Sequence, residues 1–209
     1  MRTELPLDQW NRKEHFQFFS GFDEPFFGIV AELDITHAYQ KAKAANASFF
    51  LYYLYQTLKI VNAIEEFRYR IAEGKVYCYD TIHASPTISR DDTTFGFGFI
   101  EFKDTFESFL PGALTEIEAV RQTSGLCLSD QTGRIDVIHF SAIPWTRFTG
   151  LTHARHFAYK DSVPKVSVGK YYTQHGKMLL PVAVNVHHGL MDGYHVGKFL
   201  SELQSLFDQ

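Results

Sequence analysis

The sequence predicts an α/β (α+β) two-layer sandwich, a mixed β-sheet covered by helices, and three observations predict it. Several short segments alternate apolar and polar residues with period two, and others repeat apolar residues at helical spacing. The two kinds interleave along the chain, with hairpin signals between some of the strands. No repeat, low-complexity tract or Pro/Gly/Ser-rich linker divides the 209 residues, so residues 1–209 read as a single domain.

Taken in order, "QWNRKEHFQFF" is charged and aromatic and predicts a short surface helix. "FFGIVAELDI" reads as a strand, and Asp34 or Thr36 is placed to cap the helix "THAYQKAKAANA" that follows. "SFFLYYLYQTLKIVNAI" is apolar on most faces and predicts a buried helix. "FRYRIAEGKVYCYD" alternates on both sides of Glu73-Gly74, a hairpin signal. "TTFGFGFIEF" predicts a strand with Phe95, Phe97 and Phe99 on one face. Gly96 and Gly98 leave its other face bare for close approach by a backbone or ligand. "DTFESFLPGALTEIEAVRQ" reads as helical with a break at Pro111-Gly112. "RIDVIHFSAIPW" is a strand stopped by a turn, and "PKVSVGKYYTQHGKMLLPVAVNVHH" is two strands around a turn at Gln174 to Lys177. From about Asp192 to Phe207, Val196, Phe199, Leu200, Leu203, Leu206 and Phe207 recur at helical spacing.

Composition narrows the class. A net charge near −4 supplies no basic patch for nucleic acid or an anionic membrane, so neither is an expected partner. Cys78 and Cys127 form neither a CxxC pair nor a disulfide framework, and the N-terminus lacks an apolar signal region. A reducing cytoplasm is the expected location. Aromatic residues reach 16%, enough to line a pocket or a subunit interface as well as the core.

The chemistry-bearing stretch is "VNVHHGLMDGYHVGKF", residues 184–199, a strand running into a helix. Period two turns His187 and His188 to opposite sides, Gly193 suits a tight helix start, and Asp192 suits the N-cap. Three readings stand on local pattern. Asp192 caps the helix while the histidines fill a polar corner. The histidines bind zinc, although adjacent residues share no face and no Cys or Glu stands nearby. One histidine, titrating near neutrality, is a general base that takes a proton from a hydroxyl or thiol. Spacing alone does not choose among them.

"HHGLMDGYHVGKF" resembles the H-H-x-x-x-D-G-[FY]-H-V-G signature of the type A chloramphenicol acetyltransferases. The looser H-x-x-x-D-G is shared with the wider CoA-dependent acyltransferases, including the catalytic domains of dihydrolipoamide acyltransferases. Three further segments are similar in order. "WNRKEHFQFF" resembles the family's W-x-R-[KR]-E-H-F opening, and "FSAIPW" its S-A-x-P-W turn. "VPKVSVGKYYTQHGKMLLPVAVNVHH" resembles its A-P-x-x-[ST]-x-[AG]-K-Y strand and the strand after it. The resemblance covers nearly the whole chain.

The resemblance implies acetyl-CoA as co-substrate, no metal, and a small-molecule hydroxyl acceptor. Its fold is a large mixed sheet covered by helices, assembled as a homotrimer with sites between subunits. His188 corresponds to the general base, which deprotonates the acceptor hydroxyl for attack on the thioester carbonyl, and His187 to a structural neighbour. Ser141 corresponds to the serine that donates to the tetrahedral oxyanion. Ser167 stands for a threonine whose hydroxyl holds that intermediate through water, and Phe19 for a Tyr or Phe against the substrate. Asp192 corresponds to an aspartate in a buried salt bridge with an arginine, here Arg12, that supports the loop carrying the base.

The departures fall on the acceptor side. Gly189-Leu190-Met191 replaces Ala-Val-Cys, and "SRDDTTFGFGF" replaces a segment rich in Glu and Thr. "LTHARHFAYKDSVP" replaces an Asn-rich loop and is expected to bring His153, Arg155 and His156 near the site, with His139 on the face of Ser141. The expectation is an O-acetyltransferase for chloramphenicol or a related alcohol. Two alternatives are a different acyl donor or thiol acceptor, and a non-catalytic trimeric binding protein of the same fold.

Overall fold

The longest period-two stretch builds the centre of the molecule. A computed structural model describes residues 1–209. Lys177–His187 (β10) pairs antiparallel with Phe26–Asp34 (β2) on one side and with Lys165–Val168 (β8) on the other. Val137–Ala142 (β7) and His83–Ser89 (β5) follow in parallel, and Phe95–Phe97 (β6) closes that edge antiparallel. Tyr172–Gln174 (β9) forms a hairpin with the start of β10, through left-handed His175 and Gly176 at φ 50 and 77. The sheet is therefore mixed, as its interleaved segments predict.

A small second sheet orders Arg2–Glu4 (β1), Lys75–Tyr79 (β4) and Tyr69–Ala72 (β3). Glu73 and Gly74 turn its hairpin, both at positive φ. Arg70, fully buried, ties the two sheets together by donating to the carbonyls of Phe67, Tyr69, Ile135 and Val137.

Thr36–Ala44 (α2), Phe49–Ala63 (α3), Phe106–Gln122 (α4) and Gly193–Phe207 (α5) cover one face of the large sheet. α3 buries Leu51, Leu54, Leu58 and Val61, and α5 buries Val196, Phe199, Leu203 and Phe207 in one continuous core. Val182, Val184 and Val186 of β10 and Val166 and Val168 of β8 meet them from the sheet. Lys13–Phe19 (α1) lies at the surface with Phe16 turned in.

Two expectations are corrected, one is met in part, and one strand was not foreseen. α4 runs unbroken through Pro111-Gly112, because Pro111 leaves only the exposed Glu107 carbonyl without its helical donor. The strand expected across 93–102 is reduced to β6 and a bridge from Ile100 to Ala84. Between them the Phe99 N–H goes to Glu116 Oε1 instead of a neighbouring strand. Gly96 is where the close approach falls: a Cβ there would lie 2.5 Å from Arg90 Nη2 and 2.8 Å from Val120. α2 begins at Thr36 without a side-chain cap from Thr36, while Asp34 Oδ1 accepts from the Thr36 N–H at 3.0 Å. β5 was not foreseen at all, since "HASPTIS" carries Pro86 and small residues that do not read as a central strand.

The alternation that feeds the core leaves the opposite face of the sheet polar. Register places Gly28, Asn185, Lys165, His139 and Ser85 in one rank across five strands. The next rank runs Val30, Ala183, Ser167 and Ser141. No helix packs on this side.

Candidate active site

β10 ends at His187, whose Nδ1 accepts from the Gly189 N–H at 3.1 Å and so curls the chain back. The fit is close, since a Cβ there would lie 3.0 Å from the His187 ring and 3.3 Å from the Phe16 backbone. Burial, then the nearby Arg155 charge, pushes the His187 imidazole down to about 4. His188, between these two residues, is fixed through its own backbone. Its N–H donates to the Pro25 carbonyl at 2.8 Å, and its carbonyl accepts from Arg12 Nη2 at 3.3 Å. Phe19 stacks on the His188 ring at 3.9 Å and 9°, and Phe27 leans on it at 4.6 Å. Nδ1 is buried without a hydrogen-bond partner.

Asp192 begins α5 and performs two tasks. Oδ1 accepts from the Tyr194 N–H at 3.0 Å as an N-cap, and Oδ2 accepts from Arg12 Nη1 at 2.7 Å. His195 returns the cap by accepting from the Asp192 N–H, and its Nε2 lies 3.5 Å from Glu66. Partial burial opposes ionisation of Asp192, but the Arg12 bond and the neighbouring His195 and Arg12 charges hold it at about 2. The Arg12–Asp192 pair implied by the resemblance is present, but it is only partly buried. Arg12 is enclosed, while the Asp192 side chain keeps 34% of its surface exposed.

Ser141 and Ser167 sit side by side on the polar face, paired in register between β7 and β8. Ser141 Oγ shares a hydrogen bond with Thr87 Oγ1 at 2.7 Å. Ser167 Oγ is buried and unpartnered. One rank away, Lys165 binds Asp161, and Arg155 donates to Glu24 at 2.9 Å. His139 opens onto this face, yet the walls around it and the Lys165 charge push its imidazole down to about 4. His153 lines the same cleft with Nε2 buried and unpartnered. His156 does not join them; it is exposed and packs on Tyr159 at 4.7 Å. Thr87, Glu24, Asp161, Lys165 and Asn185 were not singled out from sequence. A lysine opening the otherwise buried strand "KVSV" was the one available signal.

Within one chain the two halves do not meet. Ser141 shares a rank with Ala183, and His188 lies five residues beyond it on the far strand. That is about 16 Å along the strands and about 10 Å across them. Two adjoining apolar clefts lie at the Ser141 end of β7, and the first of them reaches Ser141. One of about 410 Å³ runs between Phe50, Ile117 and Trp145 with Ser141 and Thr87 on its wall. The other, about 540 Å³, carries Tyr39, Lys170 and Tyr171 and shares Phe50, Tyr53, Ala142 and Pro144 with the first.

A family model described as chloramphenicol acetyltransferase matches residues 2–204. A chloramphenicol acetyltransferase of Escherichia coli is 32% identical over 211 residues, covering 99% of this chain and 94% of the relative. One of Campylobacter coli is 30% identical over 209 residues, covering 99% of each. A solved structure of a chloramphenicol acetyltransferase superposes with a TM-score of 0.92 at 32% identity, covering 99% of this chain and 100% of the other. A dihydrolipoamide acetyltransferase of Azotobacter vinelandii, 17% identical, shares the fold at a TM-score of 0.64, with 93% and 85% covered.

Proposed function

This chain belongs to the chloramphenicol acetyltransferase family and is an acyltransferase, and from that premise we propose that it transfers acetyl from acetyl-CoA to a hydroxyl of chloramphenicol or a related alcohol. His188 is the base. With the proton on Nδ1, its Nε2 lone pair takes the acceptor's hydroxyl proton, which an alcohol does not surrender to water at neutral pH. The freed oxygen forms a bond to the thioester carbonyl carbon. Ser141 donates to the resulting oxyanion, and the Thr87 hydroxyl donates to Ser141 Oγ to orient it. Collapse breaks the C–S bond, and the proton passes from His188 to the CoA sulfur, leaving an ester and a free thiol. Arg12 and Asp192 position His188, and Ser167 offers its unpartnered hydroxyl to the intermediate. Phe19 holds the imidazole plane and walls the acceptor.

The two apolar clefts suit the arm of acetyl-CoA, which would thread past Phe50 toward Ser141, with the exposed Lys170 placed for its phosphates. The separation of His188 and Ser141 supports a site shared between subunits, and the homotrimer is the assembly that the family resemblance implies. The polar sheet face of one subunit would receive His188 of the partner subunit, so each site is shared. Its cysteines, both free, suit the cytoplasm. No helix is long and apolar enough to cross a membrane.

The observation that carries this reading is His188 itself, clamped through its backbone by Arg12 and Pro25 and through its ring by Phe19 and Phe27. The test is thiol release from acetyl-CoA with chloramphenicol as acceptor. Wild type should turn over, and His188→Ala should lose at least about a thousandfold. A variant keeping more than about a tenth of the rate contradicts the base. Absence of thiol release with any alcohol, together with failure to bind CoA, would favour a non-catalytic protein.

A further inference from the structure

We propose that the cleft on the polar sheet face selects an uncharged, hydroxyl-rich acceptor, a glycoside or similar polyol, as a substrate class for this site. The inference rests on the acetyl-transfer reading and deepens it. The cleft holds about 540 Å³ and only Phe26, Val30 and Leu151 among its lining residues are apolar. It adjoins the proposed chemistry. Lys165 and Asn185 form its floor, and Ser167 stands two residues from Lys165 on the same strand face, about 7 Å away.

The charges in and around this cleft are already matched. Arg155 is paired with Glu24, and Lys165 with Asp161. A carboxylate or ammonium entering here meets no free counter-charge and would lose its hydration without compensation. An aromatic acceptor finds no open ring to stack on, because Arg155 lies 3.6 Å and Lys165 4.9 Å from the Phe26 centroid. What remains unused is neutral hydrogen-bonding capacity. His153 Nε2 and Ser167 Oγ are buried without partners, and the Asn185 amide facing Gly28 makes no bond within the chain. His153 and Asn185 in the cleft, with Ser167 beside it, offer mixed donors and acceptors of the kind a sugar's hydroxyls can meet. Buried polar groups that go unpaired also penalise acceptors lacking those hydroxyls, by up to about 10⁴-fold.

The experiment is a panel of acceptors assayed by thiol release from acetyl-CoA with the intact protein: a methyl glycoside, chloramphenicol, a hydroxy acid and an amino alcohol. The glycoside should exceed the hydroxy acid and the amino alcohol at least tenfold in kcat/KM. His153→Leu and Asn185→Ser should each shift the glycoside-to-chloramphenicol ratio at least tenfold toward chloramphenicol, mainly through KM. A glycoside no better than the charged alcohols overturns the proposal, as does a variant that lowers both acceptors equally. Chloramphenicol turnover with an inert glycoside overturns this inference alone, whereas no turnover with any acceptor overturns the acetyl-transfer reading beneath it.

Discussion

Arg12 holds Asp192 and His188 with one guanidinium: Nη1 lies 2.7 Å from Asp192 Oδ2 and Nη2 3.3 Å from the His188 carbonyl. The start of the chain thereby fixes the loop that presents the imidazole. Arg12→Ala and Asp192→Asn should each lower both stability and kcat, and the double variant should lose less than the sum. Because Asp192 is partly exposed, the stability loss should fall below the roughly 3–5 kcal/mol of a buried broken pair. Strict additivity in a denaturation series would show that the two side chains act apart.

Asp192 also sets an acid limit. Its carboxyl is held at about 2, below the usual 3.8, so its stabilisation is present above pH about 4 and is lost as the pH falls through about 2. Asp192→Asn should flatten that part of the stability curve. An unchanged slope in denaturant midpoints between those pH values would contradict it.

His187 sets a second pH dependence. Its imidazole lies near 4 instead of 6.5, so folding keeps it neutral, and stability is full above pH about 6.5 and falls as the pH drops toward about 4. His187→Gln should make this segment of the curve shallower, with His139 supplying the remainder, while costing far less activity than His188→Ala. The check is chemical denaturation at pH 7, 5.5 and 4.5 for both proteins.

Ser141→Ala should lower kcat by about 10²–10³ with a much smaller change in KM, as loss of an oxyanion donor does. Thr87→Val, which removes the hydroxyl 2.7 Å from Ser141 Oγ, should lower kcat less and leave CoA binding intact. Equal losses in KM alone would place both residues in substrate binding instead.

Chloramphenicol should be a usable acceptor with kcat/KM well below the diffusional range of about 10⁸ M⁻¹s⁻¹, because the acceptor-side residues depart from the family pattern. Lys165, His153 and Arg155 put charge and polarity where it would have to bind. Steady-state kinetics beside a resistance assay would measure this, and efficient turnover with full resistance would contradict it.

Much of the fold was legible because local chemistry and tertiary role agree. Glu73-Gly74 and His175-Gly176 adopt the left-handed turns their hairpins need, and the apolar spacing of α5 is the face it buries. β5 was not legible, because Pro86 and its small neighbours are a strand only by virtue of the strands on either side. The His188 corner could be read as a motif, since Arg12, His188 and Asp192 fall in recognisable stretches. The polar rank could not. Gly28, Asn185, Lys165 and His139 come from four distant segments, and only strand register makes them neighbours.

The central claim is a site divided between subunits, and mixing two inactive variants tests it directly. His188→Ala and Ser141→Ala chains are unfolded together in equal amounts, refolded, and assayed for thiol release. In each mixed trimer one interface joins an intact His188 to an intact Ser141 of the partner subunit, so about a quarter of wild-type activity should return. A mixture no more active than the two variants refolded separately would contradict the account.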